Sequence, residues 1–227
     1  VWNTDENVYY KDINNFYINK SENYLFGSTI ISINESYEDN KTKIINAYNS
    51  LFEITKNDKM EIVKIWHFIP ELLSKYNNDK TNYSLLCEAR EKVYKDYFHN
   101  FNFPAATAIG VKGKKILIYF FAGKFSKYKA IENKRQVSSY LYPQQIFKDK
   151  PMFSRAVSFD NLKNGVSKIF ISGTASIKGY KSMHSLDLKE QLNEALTNYR
   201  TFINLNNNSS NISRIYITNI KDEDKLW

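Results

Sequence analysis

The chain has 227 residues, 42% hydrophobic and 25% charged, a globular balance that excludes wholesale disorder and allows one large or two small domains. A single cysteine, Cys87, excludes a disulfide framework and any multi-cysteine zinc or iron–sulfur site, and points to a reducing compartment, the cytoplasm. The net charge of +8 is compatible with nucleic acid, a membrane surface or an anionic small molecule. However, the lysines are scattered among acidic residues with no run of five or more. A solvated lysine surface is the first reading, an anionic ligand site the second and nucleic acid the last. No apolar run approaches the roughly 20 residues of a membrane span, so a soluble protein is expected. No basic stretch followed by an apolar one marks a secretory leader, and a first residue of Val1 rather than Met points to trimming.

In chain order, 25–33 predicts a strand from its β-branched and aromatic content. Residues 41–55 follow at helical spacing, with Ile44, Ile45, Tyr48, Leu51 and Phe52 on one side. Residues 61–69 predict a second strand closed by Pro70, and 82–98 a second helix with Leu85, Leu86, Ala89, Val93 and Tyr94 on one face. Two apolar runs, 105–111 and 116–122, flank a short lysine–glycine turn and predict a hairpin. The second half predicts strands at 153–158 and 168–177, a helix at 186–205 and a strand at 213–220. Gly27-Ser28-Thr29 and Gly173-Thr174-Ala175 hold equivalent places, which suggests a tandem duplication of one α+β unit. The second copy stops at 221–227, before its second helix and closing hairpin, so a fragment is the expectation.

Several chemistries are disfavoured. His67, His99 and His184 lie in different elements without metal-ligand spacing, so no metal site is expected. No glycine-rich phosphate loop occurs. Cys87 falls on the apolar side of its predicted helix, where packing outweighs nucleophilic use. Two segments stand out for polar residues beside apolar strands: Glu132 to Pro143 leading to Phe153-Ser154-Arg155-Ala156, and Ile171 to Ile177 followed by Gly179 and His184. Their hydroxyls either satisfy local backbone or line a pocket for a polar, anionic ligand, with Gly173 making room.

The same residues carry a resemblance. Tyr83, Cys87 to Arg90, Pro104 to Gly110, Glu132-Asn133 through Tyr142-Pro143, Phe153 to Ala156, and Ile171 to Ile177 with Gly179, His184, Asp187, Gln191 and Asn198 resemble, in this order, the chorismatase family. The match runs from about Trp2 to Ile220 and is specific as a set. It implies an α+β fold of tandem YjgF-like units, akin to chorismate mutase-like folds, with mixed sheets and helices on one face. The first unit would be 1–130 and the second, incomplete unit 131–227.

The resemblance also implies cofactor-free removal of pyruvate from chorismate, giving a hydroxybenzoate by aromatising elimination or a dihydroxycyclohexadiene carboxylate by hydrolysis. Chorismate carries two carboxylates, which guanidinium forks bind better than ammonium groups. Arg90 and Arg155 fall on family motifs and are the candidate clamps. Arg135 lies in the variable part of its motif, with a surface position as its alternative. Tyr140 and Tyr142 either donate to ring oxygens or pack. Thr174 and Ser176 would line the floor. Glycine at position 173 looks like the aromatising branch, whereas hydrolysing members tend to carry alanine. The family's general acid, a glutamate that protonates the methylene carbon of the enolpyruvyl tail, is expected beyond Trp227, and a further segment is expected before Val1. Glu88, Asp187 and Glu194 are conceivable substitutes, although helix positions favour solvated roles.

Three other readings are weighed: a truncated, inactive chorismatase, an enamine or imine deaminase, and a non-catalytic ligand- or RNA-binding protein. Against the deaminase, neither 105–111 nor 116–122 contains the arginine that single-unit relatives place on a late strand. The partner is an anionic small molecule, chorismate, with no membrane and nucleic acid disfavoured. The assembly is either a monomer with internal pseudo-symmetry or a weak homo-oligomer through exposed edges.

Overall fold

A computed structural model describes residues 5–203, 211–219 and 221–222, apart from 78, 99 and 146. The elements are β1 (Tyr9–Ile13), β2 (Phe16–Lys20), β3 (Tyr24–Ser32), α1 (Tyr37–Asn57), β4 (Glu61–Pro70), α2 (Asn82–Tyr97), β5 (Ala105–Val111), β6 (Lys115–Gly123), β7 (Phe125–Ile131), β8 (Ala156–Asn161), β9 (Ser167–Ile171), β10 (Ile177–Lys178), β11 (Lys181–Ser182) and α3 (Leu188–Ile203). The fold class is α+β, as expected. No helix among the described residues is long and apolar enough to cross a membrane.

A six-stranded sheet in the order β1-β2-β3-β6-β4-β5 forms the larger layer. Its pairs are antiparallel except β4 and β5, which run parallel because α2 carries the chain back between them. The hydroxyl of Ser36 caps α1 by accepting from the Asp39 N–H at 3.3 Å, and that of Thr81 caps α2 by accepting from the Ser84 N–H at 3.1 Å. Both helices bury their apolar stripes, including Tyr48, Leu51, Leu85 and Tyr94, against Ile18, Leu25, Ile65, Ile118 and Phe120 of the sheet. A smaller sheet, β7-β8-β9, packs on the opposite face through Val63, Ala105, Phe121, Val157 and Phe159. Tyr128 Oη donates to Ile62 O at 2.9 Å, which pins the two sheets together.

The structure corrects four expectations. The 105–111 and 116–122 runs are strands but do not form a hairpin: β4 lies between them, paired to β5 on one edge and β6 on the other. The strand expected over 168–177 leaves its ladder after Ile171, because the Gly173 N–H donates to Ala106 O of β5 at 2.9 Å rather than continuing along β8. The strand expected at 153–158 is shifted to Ala156–Asn161. Within 213–220, residues 213–219 form no strand and pair with none of the described strands, and 220 lies outside the described residues. Strands β1, β2 and β7 were not foreseen. Their outward positions, such as Tyr9, Tyr10, Tyr17 and Lys129, are exposed, which blurs the apolar alternation that marks a strand.

Candidate functional site

A cavity of about 2400 Å³ opens between the outer face of the large sheet, the small sheet and α3. This exceeds the roughly 300–1,000 Å³ of a small-molecule pocket, so a ligand would occupy one end of it. Three buried cations reach its wall, Lys64, Arg90 and Arg155. Exposed Lys112, Lys114, Lys115, Lys168 and Arg214 add further positive charge. Among the described residues, no Asp or Glu lines the cavity.

Arg90 projects from α2 and Arg155 from the segment entering β8, and they meet on the ring of Phe153, with guanidinium carbons 5.9 and 5.1 Å from its centroid. Arg155 Nη2 donates to Val137 O and to Tyr142 Oη, both at 2.7 Å. Neither arginine forms an ion pair among the described residues, and the Nε of each is buried without an acceptor. Buried guanidinium groups in that state are costly unless an anion reaches them. Tyr83 also lines this end, and burial pushes its hydroxyl well above the usual range.

The floor is built from β4, β5 and the turn after β9. The Ala106 N–H donates to Ser172 Oγ at 2.9 Å, and Ser172 Oγ donates to Ser154 O at 2.5 Å. Gly173 lies against Thr107, and a Cβ added there would stand 3.2 Å from Thr107 Cγ2. Lys64 Nζ donates to Thr107 Oγ1 at 2.7 Å and to Ile171 O at 2.8 Å, and burial pushes its ammonium down to about 7. Thr174 Oγ1 donates to Ser172 O at 3.0 Å and Ser176 Oγ to Met183 O at 3.0 Å; both residues line the cavity with their hydroxyls engaged by local backbone.

Behind the floor, on the helix side, His67 is buried. Its Nδ1 faces Thr107 O at 3.0 Å, which can only accept, so Nδ1 carries the proton and Nε2 accepts from Tyr48 Oη at 2.7 Å. Burial, with Arg90 and Lys64 nearby, pushes the imidazole down to about 3 and keeps it neutral. Cys87 is buried in α2, where burial pushes its thiol up to about 11, the opposite of an activated nucleophile. Glu132 is a largely buried carboxylate whose oxygens lack hydrogen bonds of good geometry; burial pushes its pKa up, while Ser138, Ser154 and Arg155 pull it back.

The structure gathers Arg90, Arg155, Tyr142, Gly173, Thr174 and Ser176 on this cavity. It places two other candidates elsewhere. Arg135 pairs with Glu194 and donates through Nε to Asn198 Oδ1 at 3.0 Å, tying its loop to α3. Tyr140 stacks on Phe101 at 5.0 Å and packs on Phe103 beside Phe98, in a separate cluster. Among the carboxylates considered, Glu88 is held by Lys80 and Lys41, Asp187 Oδ1 accepts from the Glu190 N–H at the start of α3, and Glu194 holds Arg135. His99 lies outside the described residues, and His184 is exposed. Among the described residues no cluster could hold a metal ion. Sequence reasoning missed Lys64, Thr107, Tyr83 and Phe153. A signal for Lys64 was available, a lysine in the middle of the apolar run 61–69.

A family model described as chorismatase FkbO/Hyg5-like, N-terminal, matches residues 1–122. The chain belongs to this chorismatase family. A 3-hydroxybenzoate synthase of Streptomyces hygroscopicus is 32% identical over 161 residues, covering 69% of this chain and 47% of its own length. A chorismatase of the same organism is 25% identical over 190 residues, covering 83% of this chain and 54% of its own length. A chorismatase crystal structure matches with a TM-score of 0.76 at 24% identity, covering 84% of this chain and 56% of that one, and so shares the fold. The chain therefore spans about half the length of these chorismatase relatives.

Proposed function

We propose that this chain acts in the conversion of chorismate to a hydroxybenzoate with release of pyruvate. The observation that carries the reading is the cavity wall: Arg90 and Arg155 are buried, form no ion pair among the described residues and are joined across Phe153, and no described Asp or Glu lines the cavity, the nearby Glu132 acting on Arg155 from behind the wall. A dianionic ring acid supplies the charge this wall lacks, and two guanidinium groups can hold its two carboxylates in a fixed orientation.

In this reading Arg155, steadied by Val137 O and Tyr142 Oη, binds one carboxylate through its remaining donors, and Arg90 binds the other. The ring lies over Gly173, whose missing side chain lets the floor close tightly on Thr107. The acid that protonates the enolpyruvyl methylene carbon is not among the groups on this wall, so these residues bind and orient. The bare Gly173 floor supports the aromatising branch, an elimination that needs no water, over hydrolysis. The tandem organisation, 1–130 and 131–227, belongs to the same reading.

The test is to incubate the chain with chorismate without metal or cofactor and to quantify products chromatographically. Binding of chorismate is expected, and any pyruvate formed is expected in equal amount with a hydroxybenzoate. Pyruvate with a diol acid would move the reading to the hydrolytic branch, and a chain that neither turns over nor binds chorismate would contradict it.

A further inference from the structure

Strand β4 carries a bulge between Ile62 and Lys64: Ile62 stands opposite Ala122 and Lys64 opposite Phe121, leaving Val63 as the extra residue. Ile62, Ile65 and Ile69 belong to the core beneath the helices, whereas Val63 and Trp66 pack toward the small sheet. Strict alternation from Ile62 would send Lys64 under the helices; the bulge turns it to the cavity side instead. There Nζ has two acceptors, Thr107 Oγ1 and Ile171 O, and lies 5.7 Å from the Trp66 ring centre. An ammonium has three N–H donors, and Lys64 forms no ion pair among the described residues. A buried ammonium held by two neutral oxygens is a poor structural tie and a good receptor for an anion arriving from the cavity.

We propose that Lys64 is a further ligand-contacting residue of this site, placing its ammonium against an anionic oxygen of the ligand at the Gly173 and Thr107 end of the cavity. This rests on reading the cavity as a site for a ring dicarboxylate such as chorismate. The titratable group coupled to Lys64 is His67 of its own strand, which also feels Arg90 of α2; β5 and β9 offer Lys64 Thr107 Oγ1 and the Ile171 carbonyl. Burial, with Arg90 and Lys64 nearby, keeps His67 neutral and Arg90 stays charged, so Lys64 is the one of the three able to take up a proton near pH 8 when an anion binds.

The experiment is calorimetric titration of the chain with chorismate, and separately with isophthalate, at pH 8 in two buffers of different ionisation enthalpy. Wild type is expected to take up on the order of half a proton or more on binding. Lys64→Met is expected to bind at least about 10-fold more weakly and to take up none. A wild type that binds without proton uptake, or a Lys64→Met chain with unchanged affinity and uptake, would overturn the proposal, and the first of these needs no variant to fold. Binding of isophthalate with Lys64-dependent uptake, but not of chorismate, would sink the chorismate reading and keep Lys64. Binding of neither would overturn both.

Discussion

The two sheets solve the problem of stability differently. The large sheet and its two helices share one continuous apolar core in which Ile18, Leu25, Ile44, Leu51, Leu85 and Phe120 have essentially no exposure. In the second region α3 buries only Asn198 and Phe202. Polar groups hold it: Asn198 Nδ2 donates to Ile177 O at 2.8 Å, Asn133 Nδ2 donates to Asn198 O at 3.0 Å, and Arg135 pairs with Glu194. The apolar side of α3, with Leu192, Leu196 and Tyr199, lines the cavity instead of a filled core. The cohesive region thus serves as scaffold, and the binding groups gather where the weaker region meets it. Local opening costs least at such a junction.

The sharpest way to break this division is to remove a site cation. Arg90→Met and Arg155→Met are each expected to lower turnover of chorismate roughly 10²–10⁴-fold, the loss of a paired charge-assisted contact. Urea unfolding of the empty variants should show stability unchanged or raised, since a buried cation without a counter-ion is replaced by an apolar chain. The cores can be compared directly. Phe120→Ala should cost about 3–5 kcal/mol and Phe202→Ala about 1–2 kcal/mol in the same assay, because only the first empties a packed core; equal costs would erase the contrast between the regions.

A third test uses His67. Its folded pKa, near 3, lies below the ordinary 6.5, so between these values the unfolded chain takes up a proton that the native chain refuses. Stability should therefore fall as pH drops from 6.5 toward 3, by up to about 1.4 kcal/mol per pH unit from this group, and His67→Gln should unfold with a shallower acid dependence. The smallest stability effect is expected at the floor. Gly173→Ala asks Thr107 to yield by a few tenths of an ångström, costing less than about 1 kcal/mol, while the product ratio shifts from hydroxybenzoate toward the diol acid.

Much of the scaffold was legible because it obeys local rules. The apolar spacing of 41–55 and 82–98 located α1 and α2, and the β-branched runs located β3 and β4. What escaped depends on distant partners. The lysine–glycine turn at 112–114 looks like a hairpin, yet its strands are separated because β4 occupies the place between them, a choice made by parallel pairing over a helix. For the site, motif order and the preference of carboxylates for guanidinium forks pointed to Arg90 and Arg155. Arg135, already set apart by the variable part of its motif, and Tyr140, as open to packing as Tyr142, could not be placed from sequence, since only the tertiary fold decides whether the 132–143 loop turns a side chain to the cavity, to α3 or to Phe101. Lys64 was visible as a lysine inside an apolar run, but the side it faces is set by the bulge, which period-two reasoning does not anticipate.

The central claim is that a dianionic ring binds at the junction of the two regions. A crystal structure of the chain soaked with chorismate tests it most directly. The account predicts a ring, or the hydroxybenzoate formed from it, over Gly173, with carboxylate oxygens about 3 Å from Arg90 and Arg155 nitrogens. A ring bound elsewhere, or both arginines left without an anion in a crystal that holds chorismate, would contradict it.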